Sequence, residues 1–335
     1  MPGTDKVPEP PTNTNSFAIA NGALIAALHK QFADLRQRVA KAKDDAERSR
    51  LEKELVTVTK LASMQIMQLE ALLFEPRLRV ERFRQAEEQL EKAGVKDAAV
   101  LNGFKNEWKR VADSIKQIET RIDEAKAPFF ERKIASLPSG DLTLSQFVEL
   151  VSRQTGITFR LGTAINGEQL VPLRDSHSLD DFLGGLDGQP RVLDNSDLQS
   201  VLEMFLSKIQ LKHRNEINPE TGELICVIVY DKFKFDGVQL DEALQIFVES
   251  LGVGYDVEPG VSLDVKVTTD DEGVGRRHLR PLLNTVGLDY RIEASKRLPG
   301  GERFRIYPLP SLAPKQEKED VPEPKPDPLS TGFRG

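Results

Sequence analysis

The sequence predicts an α+β protein, in which an N-terminal helical bundle or coiled-coil region precedes two small domains of element order βαββαββ. Two observations predict this class. Residues 16–134 carry apolar side chains at helical spacing almost throughout. Residues 142–159 then repeat without a gap as residues 238–255, with apolar residues at matching positions and Gly156 matching Gly252. A duplication of this length predicts two copies of one fold.

The domain boundaries follow from changes in composition along the sequence. Residues 1–15 and 312–335 are polar and rich in proline, which predicts that both ends are disordered. The helical region occupies 16–134, the first repeat 135–231 and the second repeat 232–311.

The helical region carries apolar residues four and three positions apart, which is typical of helices that pack side by side. Pro76 is expected to interrupt one helix and Pro128 to close the last, because proline lacks an amide donor. Met64 and Met67 are expected to fill gaps in the core. The apolar stripes can be buried within one molecule as an antiparallel bundle, or between molecules as a coiled coil. A slip in the register near Gln65 favours the bundle within one molecule.

Each repeat is predicted to begin with a short strand and an amphipathic helix, followed by a glycine that ends the helix. In the first repeat, Thr143 and Gln146 have the spacing of a capping box before a helix at 144–154. Ser196 and Gln199 have the same spacing, which predicts the start of the second helix. A hairpin completes the repeat.

The second repeat is predicted to follow the same order with fewer residues. Phe233 and Phe235 alternate with lysines, which predicts a half-buried strand, and a helix is predicted at 240–251. Pro281 is tolerable only in the first turn of a helix, so the last helix should begin no earlier than about Arg277.

The repeats differ in length because of an insertion in the first one. Their first helices align with an offset of 96 residues and their second helices with an offset of 77, so the first repeat carries 96 − 77 = 19 extra residues. They are placed at about 175–193. Long loops in compact domains are usually functional or disordered, which makes this segment a candidate contact site.

The order of elements, with the apolar phrase 238–244 and the Leu251-Gly252-Val253 step after it, resembles the short N-terminal domain shared by secretins and TonB-dependent receptors. The resemblance covers about half of the sequence and is clearer in the second repeat. It implies a small mixed sheet flanked by two helices, and a periplasmic role in docking and ring stacking without catalytic residues.

Composition argues against several classes of function. The net charge of −7 argues against broad nucleic-acid binding, which requires a basic face. No stretch reaches the ~20 apolar residues of a membrane helix, so no transmembrane segment is expected. The one cysteine, Cys226, lies in an apolar run and is predicted to be a buried thiol.

No motif predicts catalysis, a cofactor site or a metal site, since the phosphate-loop, CxxC, HExxH and GxSxG patterns are all missing from the sequence. The most metal-like group contains Asp175, His177, Asp180 and Asp181. It is interpreted as the start of a helix, with Ser178 as the N-cap and acidic residues in the first turn. The protein is therefore predicted not to be an enzyme.

Five arginines in the second repeat are the candidate interaction residues. Arg276, Arg277 and Arg280 form the densest basic cluster, and Arg303 and Arg305 alternate with apolar residues along a predicted strand. We expect them to contact a protein partner.

The function predicted from the sequence is a non-enzymatic scaffold or adaptor with protein partners in a larger, secretion- or pilus-like assembly, with self-association through the helical region as an option. A nucleic-acid-binding protein on the same small fold is the first alternative, and an enzyme of unrecognised type is the second. The location is the periplasm or cell envelope if an export signal has been removed, and the cytoplasm otherwise.

Overall fold

The described residues, 14–94, 98–135, 137, 142–171, 196–269, 272–295 and 301–309 of a computed structural model, confirm the α+β class. The sequence predicts disorder at 1–15 and 312–335, but α1 already begins at Thr14, and residues 1–13 and 312–335 lie outside the described ranges. Four helices form the N-terminal region: α1 (Thr14–Lys41), α2 (Asp45–Ala71), α3 (Phe74–Lys92) and α4 (Ala98–Phe130). α1, α2 and α4 pack against one another, and α3 packs against α4.

The backbone turns between α1 and α2 at residues 42–44, where the predicted apolar stripe runs on without a break. Asp44 explains the turn: its backbone is extended, and its Oδ1 accepts a hydrogen bond of 2.7 Å from the Glu47 amide. A side chain that satisfies a free amide stabilises the start of a new helix. α2 therefore begins at Asp45, and α1 and α2 form a hairpin.

Neither proline of the helical region ends a helix where the sequence predicts it. Pro76 lies in the first turn of α3, where its missing amide costs no helical hydrogen bond, and the helix breaks before it at 72–73. Pro128 lies inside α4, which continues to Phe130. Phe129 and Phe130 are fully buried. Burying each ring stabilises the folded state by about 1.5–3 kcal/mol, which offsets the ~3 kcal/mol cost of an internal proline.

The first α/β unit follows the bundle. Its elements are β1 (Lys133–Ile134), β2 (Leu142–Thr143), α5 (Leu144–Thr155), β3 (Thr158–Leu161), β4 (Leu170–Val171), β5 (Ser196–Asp197), α6 (Leu198–Lys208), β6 (Leu211–Ile217) and β7 (Leu224–Tyr230). A three-stranded sheet has the order β3–β7–β6, with β7 parallel to β3 and antiparallel to β6. Two short antiparallel pairs, β1 with β5 and β2 with β4, complete the unit.

The second α/β unit repeats the topology of the first, except that its described residues contain no strand pair corresponding to β1 and β5. Its elements are β8 (Val238–Gln239), α7 (Leu240–Leu251), β9 (Gly254–Val257), β10 (Lys266–Val267), α8 (Arg276–Asn284), β11 (Leu288–Ala294) and β12 (Glu302–Pro308). The sheet order is β11–β12–β9, with β12 parallel to β9. Leu142 pairs with Val171 in the first unit as Val238 pairs with Val267 in the second, 96 residues later at both positions.

Two helix starts differ from the prediction. The N-cap of α6 is Asp197, whose side chain accepts a hydrogen bond of 3.0 Å from the Ser200 amide. The predicted cap, Ser196, is instead paired with β1. α8 begins one residue before the predicted limit and holds Pro281 beyond its first turn. The buried leucines of α8 keep this short helix in place against the core despite the hydrogen bond that the proline removes.

The predicted strand at 233–235 is not a strand in the structure. Phe235 is fully buried, and its ring stacks on Phe247 with 5.2 Å between the ring centres. The Phe235 amide donates to the Thr269 hydroxyl at 3.3 Å rather than to a strand ladder. The alternation of this segment therefore reflects a buried aromatic loop.

Two hydrophobic cores hold the described residues together. The larger core joins the bundle to the first unit, with Phe130 of α4 and Phe147 of α5 in one continuous cluster. The second unit has a core of its own. Phe74 and Leu78 of α3 pack against this second core, and Tyr230 at the end of β7 packs against both cores.

β7 is covered on both faces, as its continuous apolar sequence predicts. Residues 226–229 are all buried. The strand belongs to the larger core, and α7 of the second unit also packs against it, with the Ser250 hydroxyl donating to the Tyr230 carbonyl at 3.0 Å. The first unit therefore contacts both the bundle and the second unit, and α3 of the bundle also contacts the second unit directly.

Candidate protein-binding surface and the predicted basic residues

One end of the α1–α2 hairpin carries no charge. Residues 14–28 in α1 and 61–69 in α2 contain no Asp, Glu, Lys or Arg, in a protein in which 30% of the residues are charged. The Asn21 side chain links the two segments, since its Nδ2 donates a hydrogen bond of 3.3 Å to the Gln65 carbonyl. These two segments together are called the hairpin end.

Among residues 21–28 and 61–69, the part of the hairpin end whose side chains the structure describes, three large apolar side chains are exposed. Leu24 is 45% exposed, Leu61 47% and Met64 52%. Met64 differs from the prediction, which places it in the core, because Ala62 and Ile66 fill that position of α2 instead. Solvated helix faces usually carry charged side chains. This surface is apolar, which is typical of contact sites.

A groove of about 320 Å³ lies between α1, α2 and α4 at the hairpin end. Its lining residues are Gly22, Ile25, Ala26, His29, Leu69, Arg121, Glu124 and Ala125. Two contacts fix His29 in the wall: its Nε2 lies 2.8 Å from the Ala125 carbonyl, and its ring stands edge-on to Phe129. The groove can accept an apolar side chain, with the exposed Arg121 and Glu124 beside it.

Two of the five predicted arginines, Arg276 and Arg280, lie together at a junction between α3 and the second unit. Arg280 is 3% exposed and forms an ion pair with Glu81 of α3. Its Nε donates to Asp289 at 2.6 Å, and its Nη2 donates to the Tyr290 carbonyl at 3.0 Å. Burial lowers the pKa of Arg280, but Glu81 and Asp289 together raise it above its ordinary value.

Arg276 belongs to a second charge cluster at the same junction. It forms an ion pair with Glu302, which also accepts a hydrogen bond of 2.8 Å from Arg77 of α3. Its guanidinium lies 5.4 Å from the centre of the Phe304 ring. Burial, followed by repulsion from Arg77, lowers the pKa of Arg276 to about 10. These arginines are neutralised within the molecule and attach α3 to the second unit.

The other three predicted arginines lie away from this junction. The Arg277 side chain is exposed, and its Nε donates to His278 at 3.2 Å. Arg303 and Arg305 lie on the face of β12 opposite to the buried Phe304, where both are close to the Asp256 carboxylate. That any of the five arginines binds a partner stays a prediction.

The remaining candidate residues are Cys226 and the metal-like group of the insertion. Cys226 is confirmed as a buried thiol, and burial raises its pKa to about 12. The insertion at 175–193, with Asp175, His177, Asp180 and Asp181, lies outside the described residues. Among the residues that the structure describes, no group of three or more His, Cys, Asp or Glu side chains is arranged to hold a metal ion.

Comparison with known proteins gives one family match, and it falls on the hairpin. Residues 25–68 match the model of the C-terminal domain of the ATP synthase epsilon subunit. The match spans most of α1 and α2, about an eighth of the sequence. No curated protein and no solved structure matches this protein.

The family match corrects the resemblance drawn from the sequence. The matching family is a helical domain in residues 25–68, and it is not the short N-terminal domain of secretins and TonB-dependent receptors. The assignment to that family is therefore wrong, as is the secretin-like role that it implied. The apolar positions and glycine that carried the resemblance describe an amphipathic helix followed by a strand, which unrelated small α+β units also contain.

None of the helices within the described ranges is long and apolar enough to cross a membrane.

Sequence reasoning missed the exposed residues of the hairpin end. A helical stripe gives the spacing of apolar residues but cannot show which of them lack a neighbour in the fold. The available signal was the missing charge over 61–69, since an ordinary outer helix face carries Lys or Glu.

Proposed function

We propose that the protein is a non-enzymatic scaffold that binds another protein through the hairpin end. One observation carries this proposal: Leu24, Leu61 and Met64 are exposed within two segments that contain no charged residue. The cores of protein interfaces are depleted in charged residues and enriched in methionine. A partner would cover this apolar surface and remove it from water.

The groove between α1, α2 and α4 supports the proposal. Interfaces are usually anchored by a few apolar side chains that fill pockets on the partner. The groove has an apolar floor that includes Ile25 and Leu69, and it borders the uncharged segments of both helices. One apolar side chain of a partner would fit there.

The mounting of the hairpin also suits a scaffold. The hairpin shares its core with the first unit. The buried Ser63 hydroxyl of α2 donates to the Ile217 carbonyl of β6 at 3.0 Å. A surface built on packed helices is held in a fixed orientation, which lowers the entropy cost of binding.

The family match supports a role in protein contact. The matching domain is, by its description, the C-terminal domain of one chain, the epsilon chain, of ATP synthase. Residues 25–68 include two of the three exposed side chains, Leu61 and Met64.

Site-specific photo-crosslinking in the producing cells tests the proposal. A photoreactive amino acid at Met64 should give one dominant protein adduct, identified by mass spectrometry. The matched control is the same amino acid at Leu170, which is 60% exposed in the first unit and should give no such adduct. An adduct with a second copy of the protein would identify the partner as the protein itself.

A second variant separates specific contact from simple exposure. Leu61→Glu should abolish the adduct at position 64 without changing the far-ultraviolet circular dichroism, because residue 61 is already exposed. Equal adducts at positions 64 and 170, or no adduct at either, would contradict the proposal.

A further inference from the structure

The two α/β units use corresponding sheet faces differently. In the first sheet, the outer face is the one on which Ile225, Val227 and Val229 of the central strand β7 lie. Val227 and Val229 are 2% and 1% exposed. α7 of the second unit packs against this strand, and the Arg214 side chain of the same face lies against Gly252 at the end of α7. The outer face of the first sheet is thus an internal docking surface for a helix.

The corresponding positions in the second sheet are polar. β7 and β12 are both seven-residue central strands with a parallel and an antiparallel neighbour. Matched along their length, Ile225, Val227 and Val229 correspond to Arg303, Arg305 and Tyr307. The central strand that α7 covers in the first unit is therefore apolar on this face, whereas the central strand of the second unit carries two arginines and a tyrosine. The flanking strands are charged in both units, with Arg160, Lys212, Arg214 and Glu216 on the first outer face.

The charges of this second outer face neutralise one another. Six of them form a ladder of ion pairs: Arg291, Arg303, Arg305, Asp256, Glu258 and Glu293. A further carboxylate of this face, Asp289, accepts a hydrogen bond of 3.3 Å from Tyr307. Arg303 pairs with Asp256 and Glu293, and Arg291 lies 3.3 Å from Glu258 and 3.0 Å from Glu293. The hydrogen bond from Arg291 lowers the pKa of Glu293. Arg291 remains 56% exposed and Asp256 41%, so the ladder is in contact with water.

An apolar helix cannot cover this ladder favourably. Six charged groups would lose their water, and the desolvation of buried ion pairs commonly exceeds their attraction. Arrays of repeated units depend on terminal units with a polar outer face, since an apolar one would recruit further units. Charged side chains protect exposed sheets against association in the same way.

We propose that the outer face of the second sheet ends the stack of units: its central strand offers no apolar surface on which a helix could dock as α7 docks on β7, so that copies of the protein do not associate through this face. This face belongs to the second unit and shares no residue with the hairpin end, so its role does not rest on the proposed function.

The test is to give the second sheet the outer face of the first. The grafted variant carries Arg303→Ile, Arg305→Val, Tyr307→Val and Asp256→Arg, the last being the counterpart of Arg160. Two arginines are lost and one aspartate becomes arginine, so the net charge stays at −7. Size exclusion with light scattering measures the molar mass. The mass of the grafted variant should rise with protein concentration, whereas the mass of the original protein should not rise in this way.

A control variant carries a similar apolar load on an exposed helix face: Gln31→Ile, Asp34→Val and Arg38→Val on α1, again without change in net charge. It should keep the mass of the original protein. Equal association of both variants would overturn the inference, because apolar load alone would then explain it. So would a folded grafted variant that keeps the original mass at every concentration. If the grafted variant does not fold, Arg305→Val alone replaces it, with a smaller rise expected and the same failing result.

Discussion

Cys226 shows how one buried group makes stability depend on pH. The thiol lies in the central strand of the first sheet, fully buried. Burial, and to a lesser extent Glu216, raises its pKa from 9.0 to about 12. In the unfolded state the thiol ionises near pH 9, whereas in the folded state it stays protonated. Above pH 9 the unfolded state therefore binds fewer protons than the native state, and the free energy of unfolding falls as the pH rises.

We expect the effect of Cys226→Ala to shrink as the pH rises. At pH 8 the substitution should destabilise the protein, because it leaves a small cavity. At pH 10, ionisation of the unfolded wild-type protein removes about 1.4 kcal/mol of its stability, and the variant loses nothing by this route. Urea unfolding at both pH values measures the difference. Val229→Ala in the same strand is the control, and an equal change for both variants would rule out the thiol as the cause.

Residue roles could be predicted from sequence where they depend on local pattern alone. Cys226 lies in an apolar run, and burial follows. Arg280 is different, because its partner Glu81 is 280 − 81 = 199 residues away, and only the packing of α3 brings the two together. The predicted basic cluster thus contains internal ion pairs that no local pattern could reveal.

At the scale of elements, two helices end in the same way but in different surroundings. Gly156 after α5 and Gly252 after α7 both have φ of +68°, in the left-handed region that favours glycine. A Cβ at Gly156 would meet no atom within 4 Å, whereas a Cβ at Gly252 would overlap the Arg214 guanidinium.

This pair of glycines separates backbone strain from crowding. Gly156→Ala should cost about 1–2 kcal/mol, the strain of a left-handed alanine. Gly252→Ala should cost more, because Arg214 must also move. Chemical denaturation of both variants measures the difference in the free energy of unfolding. In a protein that already carries Arg214→Ala, adding Gly252→Ala should cost only as much as Gly156→Ala costs in the original protein. Equal costs for the two single variants would contradict the crowding.

Element starts and ends were predictable where a local hydrogen bond sets them. The capping box of Thr143 and Gln146 is confirmed, with both of its hydrogen bonds present. The end of α4 was not predictable from Pro128, because the burial of Phe129 and Phe130 in the tertiary core outweighs the local preference of proline.

At the scale of the whole molecule, the division into cores differs from the division into repeats. The bundle and the first unit are distinct in sequence but share one hydrophobic cluster. The second unit keeps a separate cluster and meets α3 through buried charges as well as apolar contacts. Cooperative unfolding units follow packing rather than sequence repeats.

Hydrogen exchange should reveal this division. Phe130→Ala removes a fully buried ring from the larger core and should cost about 3–5 kcal/mol. Exchange should then accelerate in α2 and in β7 together, while peptides of α8 and β11 keep their protection. Phe247→Ala, in the second core, should give the reverse pattern. Faster exchange in the bundle alone after Phe130→Ala would show that the bundle and the first unit are independent.

The sequence predicts the α+β class because helical spacing and the repeat are both local or internal patterns. The matching register of the two units, with Leu142 paired to Val171 as Val238 is to Val267, agrees with the 96-residue offset. The exposed hairpin end and the neutralised face of β12 could not be predicted, because they depend on which surfaces pack together in the fold. An apolar or basic sequence pattern does not show which residues will lie next to it.

The contact between Arg280 and β11 bears on how the protein is made. β11 is an edge strand of its sheet. The backbone amide of Tyr290 in this strand donates to the Asp289 side chain, and the backbone carbonyl of Tyr290 accepts from Arg280, which is paired with Glu81 of α3. Proteins emerge from the ribosome N-terminal end first. α3 is therefore already synthesised when β11 leaves the ribosome. Glu81 of α3 can then hold Arg280 on the edge strand as soon as the sheet forms, which shields that edge from neighbouring nascent polypeptides.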